Sequence, residues 1–207
     1  MKLLLLHDID VNTAFKFTPN YSIRPTSMRY ALDEMFHNKT RGATTKTKST
    51  RTYALQGFDI TPLIIAIGQS ASNKNMEKIA LMCIEQEAKW TFSSSDPIQA
   101  GNQTTITALH LAAYVDNAQI ISALLARGAD INAQANIFDD GGGQNKIRQR
   151  ATLHTPTAIA IWRNATNAVT TLQARGGMGG ATIRKEDEGV LKAVYGGLCT
   201  REAMNMI

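Results

Sequence analysis

The stretch from Thr104 to Gln134, TTITALHLAAYVDNAQIISALLARGADINAQ, decides how the chain is read. Thr107 is a natural N-cap, its hydroxyl placed to accept from an early helix N–H, and Leu109, Leu111, Ala112 and Ala113 follow at helical spacing. After a polar break at Asp116 and Asn117, Ile120, Ile121, Leu124 and Leu125 fall at i, i+1, i+4 and i+5, one apolar face of a second, antiparallel helix. Arg127 and Gly128 close it, a cation at the negative end of the helix and a residue that tolerates a left-handed cap. Each helix is about ten residues long, below the roughly 12 to 15 that persist alone in water, so the hairpin must stack on something.

If it stacks on relatives, several positions should shift together along the chain. Moving 48 residues on from Thr107, Ala112, Ile121, Leu124, Ala126, Arg127 and Gly128 reaches Thr155, Ala160, Val169, Leu172, Ala174, Arg175 and Gly176. Pro156 takes the first helical position, where its missing N–H costs nothing. Moving 46 residues back from Thr107 reaches Thr61-Pro62-Leu63-Ile64-Ile65-Ala66, another helix start. Its second helix, Met76 to Glu87 with Ile79, Ala80, Cys83 and Ile84 inward, is expected about five residues late, after an extended turn from Ser70 to Asn75.

The signature T-x-L-H-x-A, an apolar helix and then G-A-D-I-N-A resembles an ankyrin repeat, a unit with a period of about 33 residues. Leu3 to Asn12, LLLLHDIDVN, resembles the end of such a repeat, with Asp8 and Ile9 in place of Gly and Ala. Thr26 to Phe36 could be the next first helix, but the polar, basic stretch from His37 to Thr52 offers no second one. The resemblance implies an all-α helical-hairpin solenoid over residues 1–180. It divides into a degenerate repeat 1–56, repeats 57–100, 101–150 and 151–180, and a helical C-terminal cap at 181–207. Within the cap, the helix is expected from Glu186 to Tyr195 with Val190, Leu191 and Val194 on one face, with a final turn around Glu202 to Met206.

Periods of 46 and 48 exceed the family's, and the excess must go where it is tolerated. Between Ala135 and Ala151, the turn sequence Asp139-Asp140-Gly141-Gly142-Gly143 is flanked by Ile137-Phe138 and by Lys146, Arg148 and Arg150, which reads as an enlarged hairpin finger. The connection from Lys89 to Ile106, with Trp90, Phe92 and Asp96-Pro97, reads the same way.

Composition narrows the function. An apolar fraction of 43% with 19% charged residues describes a folded soluble protein, and no apolar run reaches the 18 or so residues of a membrane span. His7 and Asp8 cut the leading apolar stretch short of a signal-peptide core, so the mature chain is expected to begin at Met1. Cys83 and Cys199 lack CxxC spacing and suit a reducing compartment, with the cytoplasm or nucleus as the expected location. The net charge of +5 is concentrated: Lys39, Arg41, Lys46, Lys48 and Arg51 meet no acid between Asn38 and Thr52. That tract could contact the phosphates of nucleic acid or anionic lipid by charge, or be a solvated loop.

No residue set demands catalysis or a cofactor. His110 could be a base or a metal ligand, but the resemblance implies a structural ring that ties its hairpin to the adjoining repeat by hydrogen bonds. His154 precedes the cap residue Thr155, no histidine pair has HExxH spacing, and no Cys or acid cluster completes a zinc set. Neither Gly141 to Gly143 nor Gly176 to Gly180 continues into a Walker A loop, which argues against nucleotide binding. Cys83 on an inward helix face reads as inert packing, and Cys199 has no assignable acid–base partner.

The resemblance implies instead a concave face lined by first helices and hairpin tips, with partner contacts at the two positions after T-x-L-H-x-A-A. These are Tyr114 and Val115 in the central repeat and Trp162 and Arg163 in the next, joined by Phe138, Asp139 and Asp140 on the finger. Tyr, Trp and Arg dominate binding hot spots. Stacked one layer apart, Tyr114 and Trp162 would stand roughly 10 Å from one another. The alternative is that Trp162 packs beneath the fingers. The expected function is therefore noncatalytic binding of a partner protein, with electrostatic binding of nucleic acid or anionic membrane through the basic tract as the other reading. A small Asn- and Thr-rich chain with Glu186-Asp187-Glu188 near its C-terminus also resembles ankyrin effectors that intracellular bacteria deliver into host cells.

Overall fold

Three threonines set the architecture by beginning three parallel helices. In the computed structural model, which describes residues 11–13, 15–17, 58–93, 105–139, 150–185 and 187–199, all three have extended backbone and precede a helix. Helix α1 is Pro62–Ser70, α3 is Ala108–Tyr114 and α5 is Pro156–Arg163. The Thr61 hydroxyl accepts from the Ile64 N–H at 3.4 Å and the Thr155 hydroxyl from the Ala158 N–H at 3.2 Å. Each first helix is followed by a second: α2, Lys74–Glu85; α4, Ala118–Ala126; and α6, Thr166–Gln173. First helices pack on first helices and second on second, so the hairpins form a stack. Its seam is fully buried: Leu63 to Ile67 of α1, Ala80 of α2, Leu109 and Leu111 of α3, Ile120, Ile121 and Leu124 of α4, Ile159 of α5, and Ala168 and Leu172 of α6.

The first hairpin departs from expectation. Helix α1 runs to Ser70, because Ile67-Gly68-Gln69 continues the helix rather than breaking it, and Asn73 caps α2 by accepting from the Asn75 N–H at 2.9 Å. The turn at residues 71–73 is therefore as short as the one at 115–117, and α2 starts two residues earlier than Met76.

The expectation of an all-α chain is corrected by strands. Strands β3 (Thr91–Ser93), β4 (Thr105–Thr107), β5 (Ala135–Asp139) and β6 (Arg150–His154) form one antiparallel sheet in that order. Within it β3 pairs with β4 as Thr91↔Thr107, and β5 with β6 from Ala135↔His154 to Asp139↔Arg150. The two connections thus share one sheet, joined through Thr105↔Asn136, which satisfies backbone groups that separate ribbons would leave to water. Their tips, 94–104 and 140–149, lie outside the described residues, as does Asp140. A second ladder pairs β1 (Phe15–Phe17) with β2 (Phe58–Ile60), antiparallel from Phe15↔Ile60 to Phe17↔Phe58. The proposed helix at Thr26 to Phe36, the basic tract and the proposed final turn also lie outside the described residues.

Polar side chains tie each layer to the next. Asn117 caps α4 by accepting from the Ile120 N–H at 3.0 Å, and its amide donates back to buried Glu77 of α2 at 2.7 Å. The N-cap of helix α6 is Ala165, which has no capping oxygen, so Asp116 of the preceding repeat supplies it: Oδ1 accepts from the Ala168 N–H at 2.8 Å and Oδ2 from the Asn167 side-chain amide at 2.9 Å. Asp116 reaches across because its backbone takes φ +58°, a left-handed conformation that Asp tolerates better than most residues. An Asp116→Ala chain should lose about 1 to 2 kcal/mol in urea unfolding, the cost of a deleted helix cap, with unchanged helicity at 25 °C. Farther out, the Asn132 side chain accepts from the Met178 N–H at 2.8 Å and the Asn12 side chain from the Lys89 N–H at 2.6 Å. In both, an asparagine following Asp-Ile or Asp-Val binds the backbone beyond the next second helix.

The last helix, α7 (Glu188–Leu198), does not stack behind α5 and α6 as a further hairpin. It runs along the stacking direction, touching all three layers from the last to the first, and so covers one face of the array.

Candidate protein-binding groove

The first helices and the strand ladder meet in a crease, and the side chains after each T-x-L-H-like run point into it or onto its rim. Tyr114 ends α3 and is half-buried, Val115 beside it is the half-buried C-cap, and Trp162 and Arg163 end α5, the first half-buried and the second exposed. The rings of Tyr114 and Trp162 lie 6.3 Å apart, tilted by 40°. That is closer than the layer spacing, since long side chains on neighbouring helices can lean together and aromatic pairs favour ring separations of about 4.5 to 7 Å. The Arg163 guanidinium sits 4.5 Å from the centre of the Tyr114 ring, a cation on a π face. On the finger, Phe138 and Asp139 belong to β5, opposite Ala151 and Arg150 of β6.

Helix α7 occupies this crease. Tyr195 is fully buried and stacks on Tyr114 with centroids 5.2 Å apart and planes 19° from parallel. Its hydroxyl hydrogen-bonds His154 Nε2 at 2.8 Å, and burial holds the phenol well above its usual range. Burial likewise raises Tyr114, partly offset by Arg163. Lys192 Nζ lies 5.9 Å from the Trp162 ring and 3.3 Å from Glu188 on its own helix. At the far end the Gln69 amide of α1 donates to the Cys199 carbonyl at 2.7 Å. A Cβ on Gly68 would run into the Leu198 carbonyl oxygen, so α1 and α7 approach to backbone contact there.

Four of these contributors, Gly68, Gln69, His154 and Tyr195, were not among the residues expected to line the face. One had a local signal: Gly68 interrupts a run of good helix formers without ending the helix, which marks a close approach. The stacked Tyr114 is consequently covered by the chain's own helix, while Trp162 and Arg163 stand nearer the rim.

Beneath the groove His110 does the tying that the resemblance implied. Its Nδ1 accepts from the Thr107 N–H at 3.4 Å and lies 2.8 Å from the Thr107 hydroxyl, and its Nε2 lies 3.1 Å from the His154 carbonyl of the next repeat. Because Nδ1 accepts, Nε2 carries the proton and donates. The ring is completely buried, and desolvation first, then the nearby His154, lowers its pKa from 6.5 to about 3, so it is a neutral strut. Neither thiol is activated: burial raises Cys83, and raises Cys199 to about 12 despite the opposing Arg163. A thiolate is the reactive species, so both are poor nucleophiles at neutral pH.

Stacked helical hairpins with a strand ladder along one edge and a crease beside it define a helical-hairpin solenoid. The ankyrin repeat family model matches residues 106–136, so the central hairpin is an ankyrin repeat. Ankyrin repeats generally mediate protein–protein interaction and are typically non-enzymatic. A search of curated proteins found no match. Among the described residues no helix is long and apolar enough to cross a membrane.

Proposed function

We propose that the protein is a noncatalytic module that binds a partner protein along the groove between its first helices and strand ladder. Val115, Trp162 and Arg163 form the rim, and Phe138, Asp139 and Asp140 of the finger add selectivity. The observation that carries this reading is the seating of α7: the face already holds a polypeptide by aromatic stacking, a buried hydroxyl contact and backbone capping. A preformed stack loses little conformational entropy on docking, which favours affinity over a face of modest area. The resemblance to ankyrin effectors extends the reading to a host protein as the partner.

Affinity capture from cell lysate tests it, with the wild-type chain against Trp162→Ala and each arm repeated at 50 and 200 mM salt. The truncation should weaken the captured partner by at least ~2 kcal/mol with the helical circular dichroism signal intact. Affinity should fall only modestly with salt. Loss by orders of magnitude over that range would instead assign binding to phosphate contacts of the basic tract from Lys39 to Arg51. Unchanged capture by Trp162→Ala would rule out the groove.

A further inference from the structure

The hairpins stack through contacts of their own that do not involve α7. Helices α1, α3 and α5 pack on one another in turn, as do α2, α4 and α6, and α7 adds Leu191, Val194, Tyr195 and Leu198 to the core they form. By contrast α7 depends on the array. It has 11 residues, below the length that persists alone, and Gly189, Gly196 and Gly197 within it weaken it further. Packing does not require one of these glycines: a Cβ on Gly196 would meet the Tyr114 hydroxyl at 3.7 Å, an ordinary contact. The helix is therefore less stable than its seat allows. It enters from a segment, residues 177–187, whose described residues form neither helix nor strand.

We propose that the groove is a helix-acceptor site which α7 keeps closed in cis, and that the partner binds by displacing α7 with an amphipathic helix of the same face. This rests on the protein-binding reading and names the partner's chemistry. The face is legible from the occupant. Leu191, Val194, Tyr195 and Leu198, at i, i+3, i+4 and i+7, are all buried in the crease. The aromatic hydroxyl at the third place meets His154, and the small residue after it passes over Tyr114. At the end of the occupant, the backbone must come close enough to Gly68 to be capped by Gln69. Helix-in-groove recognition uses this same register of anchors.

A fluorescent peptide of residues 187–199, added in trans to the full-length chain, tests the site. In the wild type the cis helix competes, so the apparent affinity is reduced by the fraction of chains that are open. Tyr195→Ala in the chain removes the main anchor of α7 and leaves the acceptor intact, and it should bind the peptide at least tenfold more tightly than wild type. Gly196→Ala, which the packing permits, should strengthen α7 and weaken peptide binding about fivefold, both alone and in the Tyr195→Ala background. Adding Gly68→Ala to Tyr195→Ala should abolish binding, because the new methyl blocks the seat of Leu198 while improving the propensity of α1. Circular dichroism on each variant establishes that the array is folded, and Gly196→Ala carries the test if Tyr195→Ala does not fold. Equal affinity of wild type, Tyr195→Ala and Gly196→Ala for the peptide would overturn the proposal. So would a concentration-dependent wild-type dimer that Tyr195→Ala abolishes, which would assign α7 to a second copy of this chain. Lysate capture that the peptide does not compete would remove the acceptor site and leave the protein-binding reading standing. Peptide binding with no captured protein would do the reverse.

Discussion

A His110→Ala chain should be destabilised by about 3 to 5 kcal/mol in urea unfolding, although His110 contacts solvent nowhere and takes no part in binding. Deleting the ring leaves a cavity between two repeats and takes a partner from both the Thr107 N–H and the His154 carbonyl, each loss costing about 1 to 3 kcal/mol. The same ring makes the wild type acid-sensitive. Its folded-state pKa, about 3, lies below the unfolded value of 6.5, so on acidification the unfolded chain takes up the proton first. The contribution of His110 is therefore fully present above pH 6.5 and declines by about 1.4 kcal/mol per pH unit as the pH falls toward 3. Between pH 6.5 and 5 the wild type should lose about 2 kcal/mol more than His110→Ala does over the same interval. Parallel pH dependences for the two chains would mean that the imidazole is not held neutral by burial.

The helix starts were legible because capping is local chemistry. Thr61, Thr107 and Thr155 are each marked as caps by the four residues after them, and a shift of 48 residues carries an entire apolar pattern from one hairpin to the next. The two hairpin ribbons were legible from their turn sequences, although strands as short as Thr91–Ser93 and Thr105–Thr107 display no alternation that would fix their bounds. What was not legible is that the two ribbons join into one sheet, because Thr105↔Asn136 pairs connections that are remote in sequence. Helix α7 shows a further limit. Its apolar stripe at Leu191, Val194, Tyr195 and Leu198 identifies a helix with one buried face, but a stripe does not say which surface it will cover. The end of the stack and the groove both offer apolar ground, and the choice turns on Gly68, Tyr114 and His154, residues 41 to 130 positions away from their partners on α7. Tyr114 and Trp162 were correctly taken as neighbours on one face. That the neighbourhood included Tyr195 depended on where α7 lands.

Leu124→Ala and Leu172→Ala delete the same atoms from positions 48 residues apart, both fully buried, and should nevertheless unfold differently. Each truncation should cost about 2 to 5 kcal/mol. In a stack, however, stability is a sum of hairpin terms and nearest-neighbour interfaces. Helix α4 packs on both α2 and α6, whereas α6 packs on α4 alone among the second helices. Weakening the middle hairpin removes support on two sides, so Leu124→Ala should shift one cooperative transition to lower denaturant. Weakening the last hairpin removes support on one side, so Leu172→Ala should open α5 and α6 first and leave the rest folded. Trp90 and Trp162, the two tryptophans of the chain, report on the first and third hairpins. With either one replaced by Phe, the fluorescence transitions should coincide in the Leu124→Ala background. In the Leu172→Ala background the Trp162 transition should come at lower denaturant. The competing force is α7, which touches all three layers and is anchored to the last through Tyr195 and His154. Coincident transitions in Leu172→Ala that separate once Tyr195→Ala is added would mean that this helix clamps the repeats into one folding unit. In that case opening the groove would also loosen the last hairpin, and the partner would bind a stack less rigid than the closed one.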